Sequence, residues 1–280
     1  MSGRVLLGTS SWTAEGWEKT FYPPGAKPAD YLTQYASQFN TVECDATFYR
    51  IPSAQTVEGW KRKIPKGFVF AAKVPQVITH EKVLEGCQED LKAFLGVMGL
   101  LEDNLGPLLF QFPYFNKKKF SSPKPFFARL NKCLGELPQG YQFAVEVRNK
   151  AWVGEELLSI LRDHSVAFTL VDHPWMHRID HLVEKMDPVT ADFVFVRWLG
   201  DRQKIEAMTD TWDKLVVDRS EDLPLWVPVL QDLLERNLDV LAYFNNHYAG
   251  HAPASVRMMG EMLKKAGAQG LCGKAPSEKK

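Results

Sequence analysis

The chain has 280 residues, 45% hydrophobic and 24% charged, the balance of an ordinary folded protein, and that length suits one large α/β barrel or two modest domains. Lys+Arg and Asp+Glu both number 34, so the formal net charge is zero; a mainly electrostatic nucleic-acid or membrane binder is disfavoured, and nucleic acid remains a partner only through a local basic patch. Four cysteines (Cys44, Cys87, Cys133 and Cys272) lie far apart with no C-x-x-C pair, as expected of a reduced, cytoplasmic protein without a disulfide framework. No signal-peptide pattern precedes the first strand-like residues, and no apolar run reaches transmembrane length.

In chain order, Val5-Leu6-Leu7-Gly8-Thr9-Ser10 reads as a strand, followed by a loop rich in aromatic residues (Trp12, Phe21, Tyr22). Helical spacing follows over 29–39. The stretch 41–50 splits with period two: Val42, Cys44, Ala46 and Phe48 share one side, Glu43, Asp45, Thr47 and Tyr49 the other. Ser53 is placed to cap a helix running through Trp60, and a third strand is predicted over 68–74. Thr79 is expected to cap a long helix containing Leu91, Phe94, Leu95 and Met98. A strand over 107–112, a helix over 125–137, a strand over 142–148 and a helix over 152–164 continue the rhythm. Strands over 166–172 and 193–198 follow, then a helix over 223–236 that Pro228 should kink or start, a strand over 240–246 and a helix over 254–264. Residues 267–280 read as a polar tail.

Eight short strands alternating with helices predict a parallel sheet, and eight such units in a single domain over 1–266 are the size of a TIM (β/α)8 barrel. An open doubly wound sheet is the competitor. Neither G-x-G-x-x-G after the first strand nor G-x-x-x-x-G-K-[ST] is present to support it.

With these elements in place, a set of motifs stands out. They are Gly8-Thr9-Ser10-Ser11-Trp12, Phe21-Tyr22-Pro23, Thr41-Val42-Glu43 with Thr47-Phe48-Tyr49-Arg50, and Ile78-Thr79-His80. Leu105-Gly106-Pro107 with Phe110-Gln111-Phe112-Pro113, Glu146-Val147-Arg148 with Trp152, and Phe244-Asn245-Asn246 complete it. In this order the chain resembles the YecE-like family, domain of unknown function number seventy-two, over nearly its whole length. The resemblance implies a TIM barrel and no particular activity. Two departures stand out. Many members carry Arg-x-His-Gly at the seventh strand, where this chain has Arg197-Trp198-Leu199-Gly200, and His247 follows Asn246 where an acidic or amide residue is common.

TIM-barrel sites lie at the C-terminal ends of the strands. The inward sets and strand tops offer Glu43, Asp45, Glu146 and Asp172 against Lys73, Arg148 and Arg197, with Gln111, Asn245 and Asn246 among them. Unpaired burial of such charges would cost several kcal/mol each, so they pair with one another or await a charged ligand. The cations suit a small anionic ligand, phosphorylated or carboxylated and sugar-like, with arginine as the bidentate fork. Glu146 or Asp45 is the candidate base, Glu146 being equally placed to anchor Arg148, and His80 is the candidate acid. Tyr49 and Arg50 lie just past the second strand, and Trp12 is a loop aromatic able to stack on a sugar or base. No cofactor is called for. A divalent metal would rest on Asp172, His173, His177 and His181, whose four-residue intervals share a face only on a helix, and a metal-dependent phosphoesterase or nuclease is the corresponding alternative. A non-catalytic metabolite or nucleic-acid binder is a further alternative.

Overall fold

A computed structural model of the chain describes residues 3–271. Eight strands are present: β1 (Val5–Thr9), β2 (Thr41–Cys44), β3 (Val69–Lys73), β4 (Leu105–Gln111), β5 (Phe143–Glu146), β6 (Ala167–Asp172), β7 (Phe193–Trp198) and β8 (Asp239–Phe244). They form one sheet in the order β1-β8-β7-β6-β5-β4-β3-β2, with every laddered pair parallel. The helices are α1 (Trp17–Thr20), α2 (Tyr31–Gln38), α3 (Ala54–Lys61), α4 (Gln88–Met98), α5 (Lys124–Gly135) and α6 (Glu155–Asp163), then α7 (Ile179–Lys185), α8 (Arg202–Glu206), α9 (Trp226–Glu235), α10 (Asn246–Ala249) and α11 (Ala252–Lys265). Strand and helix alternate around a nearly closed TIM barrel, as the rhythm of the sequence predicts. Among the described residues no helix is long and apolar enough to cross a membrane.

The seam between β1 and β2 is closed by a side chain rather than a ladder. The Thr9 amide donates to the Tyr35 hydroxyl (2.9 Å), which donates in turn to the Thr41 carbonyl (3.1 Å). The strands approach closely there: a Cβ on Gly8 would stand 2.4 Å from the Thr41 carbonyl oxygen, so only glycine fits.

Two cores result from the period-two alternation. The outer one, between sheet and helices, takes Val42, Cys44, Phe70, Phe110, Val145, Val196 and Phe244 with the apolar faces of the helices. The inner one fills the barrel with Ala71, Leu109, Ala144, Phe193, Phe195, Leu241 and Tyr243. Lower in the barrel the Tyr243 hydroxyl meets Thr41 Oγ1 at 2.7 Å, which gives the buried phenol its partner.

Several elements differ from expectation for local reasons. β2 stops at Cys44, and Ala46–Phe48 form a 3-10 turn. The Thr47 hydroxyl meets the carbonyls of Cys44 (3.0 Å) and Lys73 (2.7 Å), so it satisfies acceptors that a longer ladder would have taken. The helix expected from Thr79 divides into a π turn, Val77–Glu81, and α4, whose N-cap is Cys87. Pro228 is the third residue of α9, so it marks a helix start rather than a kink. The chain beyond α11 returns to β1: the Val5 amide donates to the Gly270 carbonyl at 3.0 Å and Leu271 pairs with Val5. The remainder of the predicted polar tail lies outside the described residues.

Candidate functional site

At the C-terminal end of the barrel the inner core changes from apolar to charged. Arg197 on β7 is 2% exposed and lies at the centre. Its Nη2 donates to Glu43 Oε1 of β2 at 2.6 Å and its Nη1 to Glu146 Oε2 of β5 at 2.8 Å. Nη2 also reaches Asp45 Oδ1 at 3.4 Å. Arg148 Nε donates to the other Glu146 oxygen at 2.5 Å, and Lys73 Nζ of β3 lies 3.6 Å from Asp45 Oδ1. Three carboxylates and three cations therefore interlock in one layer. Glu43 and Glu146 are fully buried, whereas the side chains of Asp45 and Arg148 keep 31% and 20% of their surface exposed. The deep members hold the layer together and the shallow ones face the opening.

Burial sets the protonation of this layer, and neighbours correct it. Burial alone would lift both glutamates. For Glu146 the charges of Arg148, Arg197 and Lys73 outweigh it and hold the carboxyl at about 2. For Glu43 burial wins over Arg197, with the Asp45 charge adding to the rise, and the carboxyl is pushed up to about 8. Glu43 Oε2 and Arg197 Nε are buried without a hydrogen-bond partner on the protein.

Three histidines surround this layer. His80 is carried on the π turn, its Nδ1 2.8 Å from Thr79 Oγ1 and its ring edge-on to Phe48. Lys73 Nζ sits 4.2 Å from the centre of the same Phe48 ring. Burial, then the charges of Lys73 and Arg148, lower His80 to about 4. His173 is lowered to about 4 by burial and Arg148. His247, also lowered by burial, has Nδ1 2.6 Å from Asn245 Oδ1 and Nε2 3.1 Å from Glu206 Oε1. A ring neutral at pH 7 accepts protons, so the expected acid role does not suit His80.

The structure thus brings together Asp45, Lys73, Glu146, Arg148 and Arg197 from the sequence-derived set, with Gln111 beside Glu146 in register and His80 and Asn245 at the rim. Others go elsewhere. Asp172 shares the outward parity of Phe168 and Leu170; it accepts from Trp226 Nε1 at 3.1 Å and lines a separate pocket of about 280 Å³ between β6 and α9. Burial raises its pKa there. Tyr49 is 72% exposed because the strand has already ended, and Arg50 lines a pocket of about 390 Å³ against α3. Trp12 packs on Trp60 and Phe70 at 5.6 Å each, on the helix side of the sheet. Asn246 accepts from the Ala252 amide at 3.0 Å, a structural role before α11.

The histidine intervals have no helix beneath them: His173 Nδ1 accepts from the Trp175 amide in a turn, and α7 starts only at Ile179. His251 Nδ1 caps α11. Among the described residues no three His, Cys, Asp or Glu side chains converge to hold a metal ion. Phe48 and His173 take parts other than those expected of them, Phe48 as the ring between Lys73 and His80 and His173 as a neighbour of Arg148 rather than a metal ligand. Phe48 lies on the apolar side of the predicted strand, and the signal for His173 was its position one residue past β6.

Leu199, just past the end of β7, is buried within the outer apolar cluster. Gly200 after it has φ +67°, and a Cβ there would lie 2.3 Å from the His247 carbonyl oxygen.

Fold and site together define a TIM-barrel protein with an ion-pair layer across the C-terminal mouth of its barrel. The chain belongs to the family described as "Protein of unknown function DUF72", whose model matches residues 6–280. It is 27% identical to the UPF0759 protein YunF of Bacillus subtilis (strain 168) over 278 residues, covering 92% of this chain and 94% of that protein. Among solved structures it is similar to a DUF72 family protein, TM1631 of Thermotoga maritima MSB8, with 28% identity and a TM-score of 0.71 over 93% of this chain and 99% of that one. A D-psicose 3-epimerase from Clostridium cellulolyticum H10, solved with D-tagatose, shares the fold alone, with 10% identity and a TM-score of 0.52 over 96% and 98% of the two chains.

Proposed function

We propose that the barrel mouth is the active site of an enzyme acting by proton transfer on a small anionic, sugar-like substrate. One feature supports this above the others: Arg148, 20% exposed, stands at the open side of a layer whose deeper charges are already paired, with the more buried Lys73 in the same layer. With Glu43 holding a proton, the layer carries Arg197, Arg148 and Lys73 against Asp45 and Glu146, a formal excess of one positive charge. Such an excess in a partly desolvated site favours a carboxylate or phosphate.

In this proposal Arg148 and Lys73 hold the anion. Glu146, clamped between two arginines and held at about 2, positions Arg148 and is too acidic to serve as base. Asp45 is the more open carboxylate and becomes the base, with neutral His80 across Phe48 as a second proton acceptor. The sugar-like character draws support from the D-psicose 3-epimerase neighbour, whose likeness extends to the fold only.

Calorimetric titration with a panel of carboxylated and phosphorylated sugars tests the proposal. At least one anion should bind the parent, and Arg148→Ala should weaken it roughly tenfold or more, the loss of one charge-assisted contact. Asp45→Asn should abolish turnover of that ligand while leaving binding largely intact. If no anion binds, or Arg148→Ala binds as the parent does, the anion site is wrong.

A further inference from the structure

Away from the mouth, on the outer face of the barrel, α4 and α5 enclose a pocket of about 610 Å³ lined by both Cys87 and Cys133. Two contacts tie the start of α4 and the turn before it to α5 and its C-terminal end. Arg129 Nη2 meets Glu85 Oε2 at 3.0 Å on one side, and Gln88 Nε2 meets Glu136 Oε2 at 3.4 Å on the other. Both cysteines are buried free thiols beside this one pocket, and each perturbs the protonation of the other.

We infer that Cys87 and Cys133 form a redox-active dithiol, with low-molecular-weight disulfides entering this pocket as the oxidant.

Cys87 is the nucleophile for three reasons. It is the N-cap of α4, an 11-residue helix, and so stands at the positive end of that helix. Its neighbour Cys133 and the Lys82 charge both favour its thiolate. Cys133 above all, with the Cys87 backbone amide and Lys82, outweighs burial and lowers the thiol to about 7, while Cys133 is pushed up. Cys44 is the contrast: buried among apolar groups, with no second thiol among the described residues perturbing it, it is pushed up to about 12 by burial.

The approach to Cys87 is strained. Val83 has φ +46° and Leu84 φ +66°, both buried, and Gly86 has φ +61°. A β-branched residue in the left-handed region is a backbone outlier of the kind that persists only when surrounding structure enforces it. Here the turn runs directly into Cys87, which shares its pocket with α5.

The chemistry balances as a thiol–disulfide exchange. The Cys87 thiolate attacks one sulfur of the disulfide; that S–S bond breaks, one thiolate leaves and a mixed disulfide forms. Cys133 then attacks Cys87 Sγ, gives its proton to the departing group and displaces the second thiol. Two protein thiols are oxidised to one disulfide, and the small disulfide is reduced to two thiols.

The test uses the whole chain equilibrated in mixtures of reduced and oxidised glutathione, followed by quenching, intact mass and non-reducing peptide mapping. The parent should lose two hydrogens and yield a cross-linked peptide joining Cys87 to Cys133. Cys133→Ser should stop at one glutathione adduct on Cys87, and Cys87→Ser should give neither product at these positions. The inference is overturned if both cysteines stay reduced under conditions that fully oxidise a cysteine peptide in the same sample. It is overturned equally if Cys133 in Cys87→Ser acquires glutathione as fast as Cys87 does in Cys133→Ser.

Discussion

Arg197 donates to Glu43 and Glu146 at once from a position that solvent barely reaches, and this makes it the residue on which the layer depends. Arg197→Met would leave two glutamates buried without their common cation. Removing one partner of a buried ionic group costs about 3–5 kcal/mol, so urea unfolding of this variant should show a loss of that order. Glu43 gives the layer a pH dependence of definite sign. Its folded value of about 8 lies above the ordinary 4.5, so between those values the folded chain binds a proton that the unfolded chain has released. This contribution to stability is full below about 4.5 and is lost as pH rises through about 8, with a slope of at most about 1.4 kcal/mol per pH unit. Glu146 runs the other way. Its value of about 2 makes a contribution present above 4.5 and lost as pH falls towards 2. Unfolding free energies of the parent and Glu43→Gln from pH 6 to 9 check this: the parent should lose stability on the alkaline side and the variant should lose less. At this scale residue type and strand parity reveal most of the layer, since Glu43, Lys73, Glu146 and Arg197 all fall on inward positions. Asp172 shows what strand-end position alone misses. Its parity with Leu170 already points it outward, to Trp226.

Among the elements, strands and helices were readable because burial on both faces writes continuous apolar runs and amphipathic periods into the chain. Their ends were not. The alternation over 41–50 continues past the true end of β2, because the 3-10 turn at Ala46–Phe48 reuses the same polar–apolar order while its hydrogen bonds come from the Thr47 side chain. The π turn at Val77–Glu81 was hidden for a related reason: one extra residue per turn leaves composition unchanged and moves His80. The β1–β2 seam likewise depends on one phenol, which no strand pattern contains. Tyr35→Phe should therefore uncouple Thr9 from Thr41 and leave both groups without that partner, at a cost of about 1–3 kcal/mol in chemical unfolding. Gly8→Ala should destabilise through the backbone, because its Cβ would press on the Thr41 carbonyl at 2.4 Å. If Tyr35→Phe unfolds as the parent does, the seam is held by the flanking ladders instead.

Across the whole molecule the formal charge is zero, so long-range steering does not select an anion; any preference must arise within the mouth. There the sign of the local charge depends on one deep carboxyl. Below about 8 Glu43 is neutral and the layer holds three cations against Asp45 and Glu146; above it the formal charges cancel. A bound anion should thus lose affinity as pH rises through that value. A sugar carboxylate is the proper probe, because its own charge is constant across the window while that of a phosphate is not. A unit charge about 6 Å away at an effective dielectric of about 20 is worth roughly 2–3 kcal/mol, so the dissociation constant should rise about tenfold or more between pH 6.5 and 9.5. In Glu43→Gln the layer keeps its positive excess at every pH, and the dissociation constant should stay nearly flat. Calorimetric titrations of both proteins at the two pH values decide the matter. A parent whose affinity is unchanged would show that the ligand does not sense Glu43, whereas a fall of equal size in Glu43→Gln would assign the pH dependence to another group at the mouth.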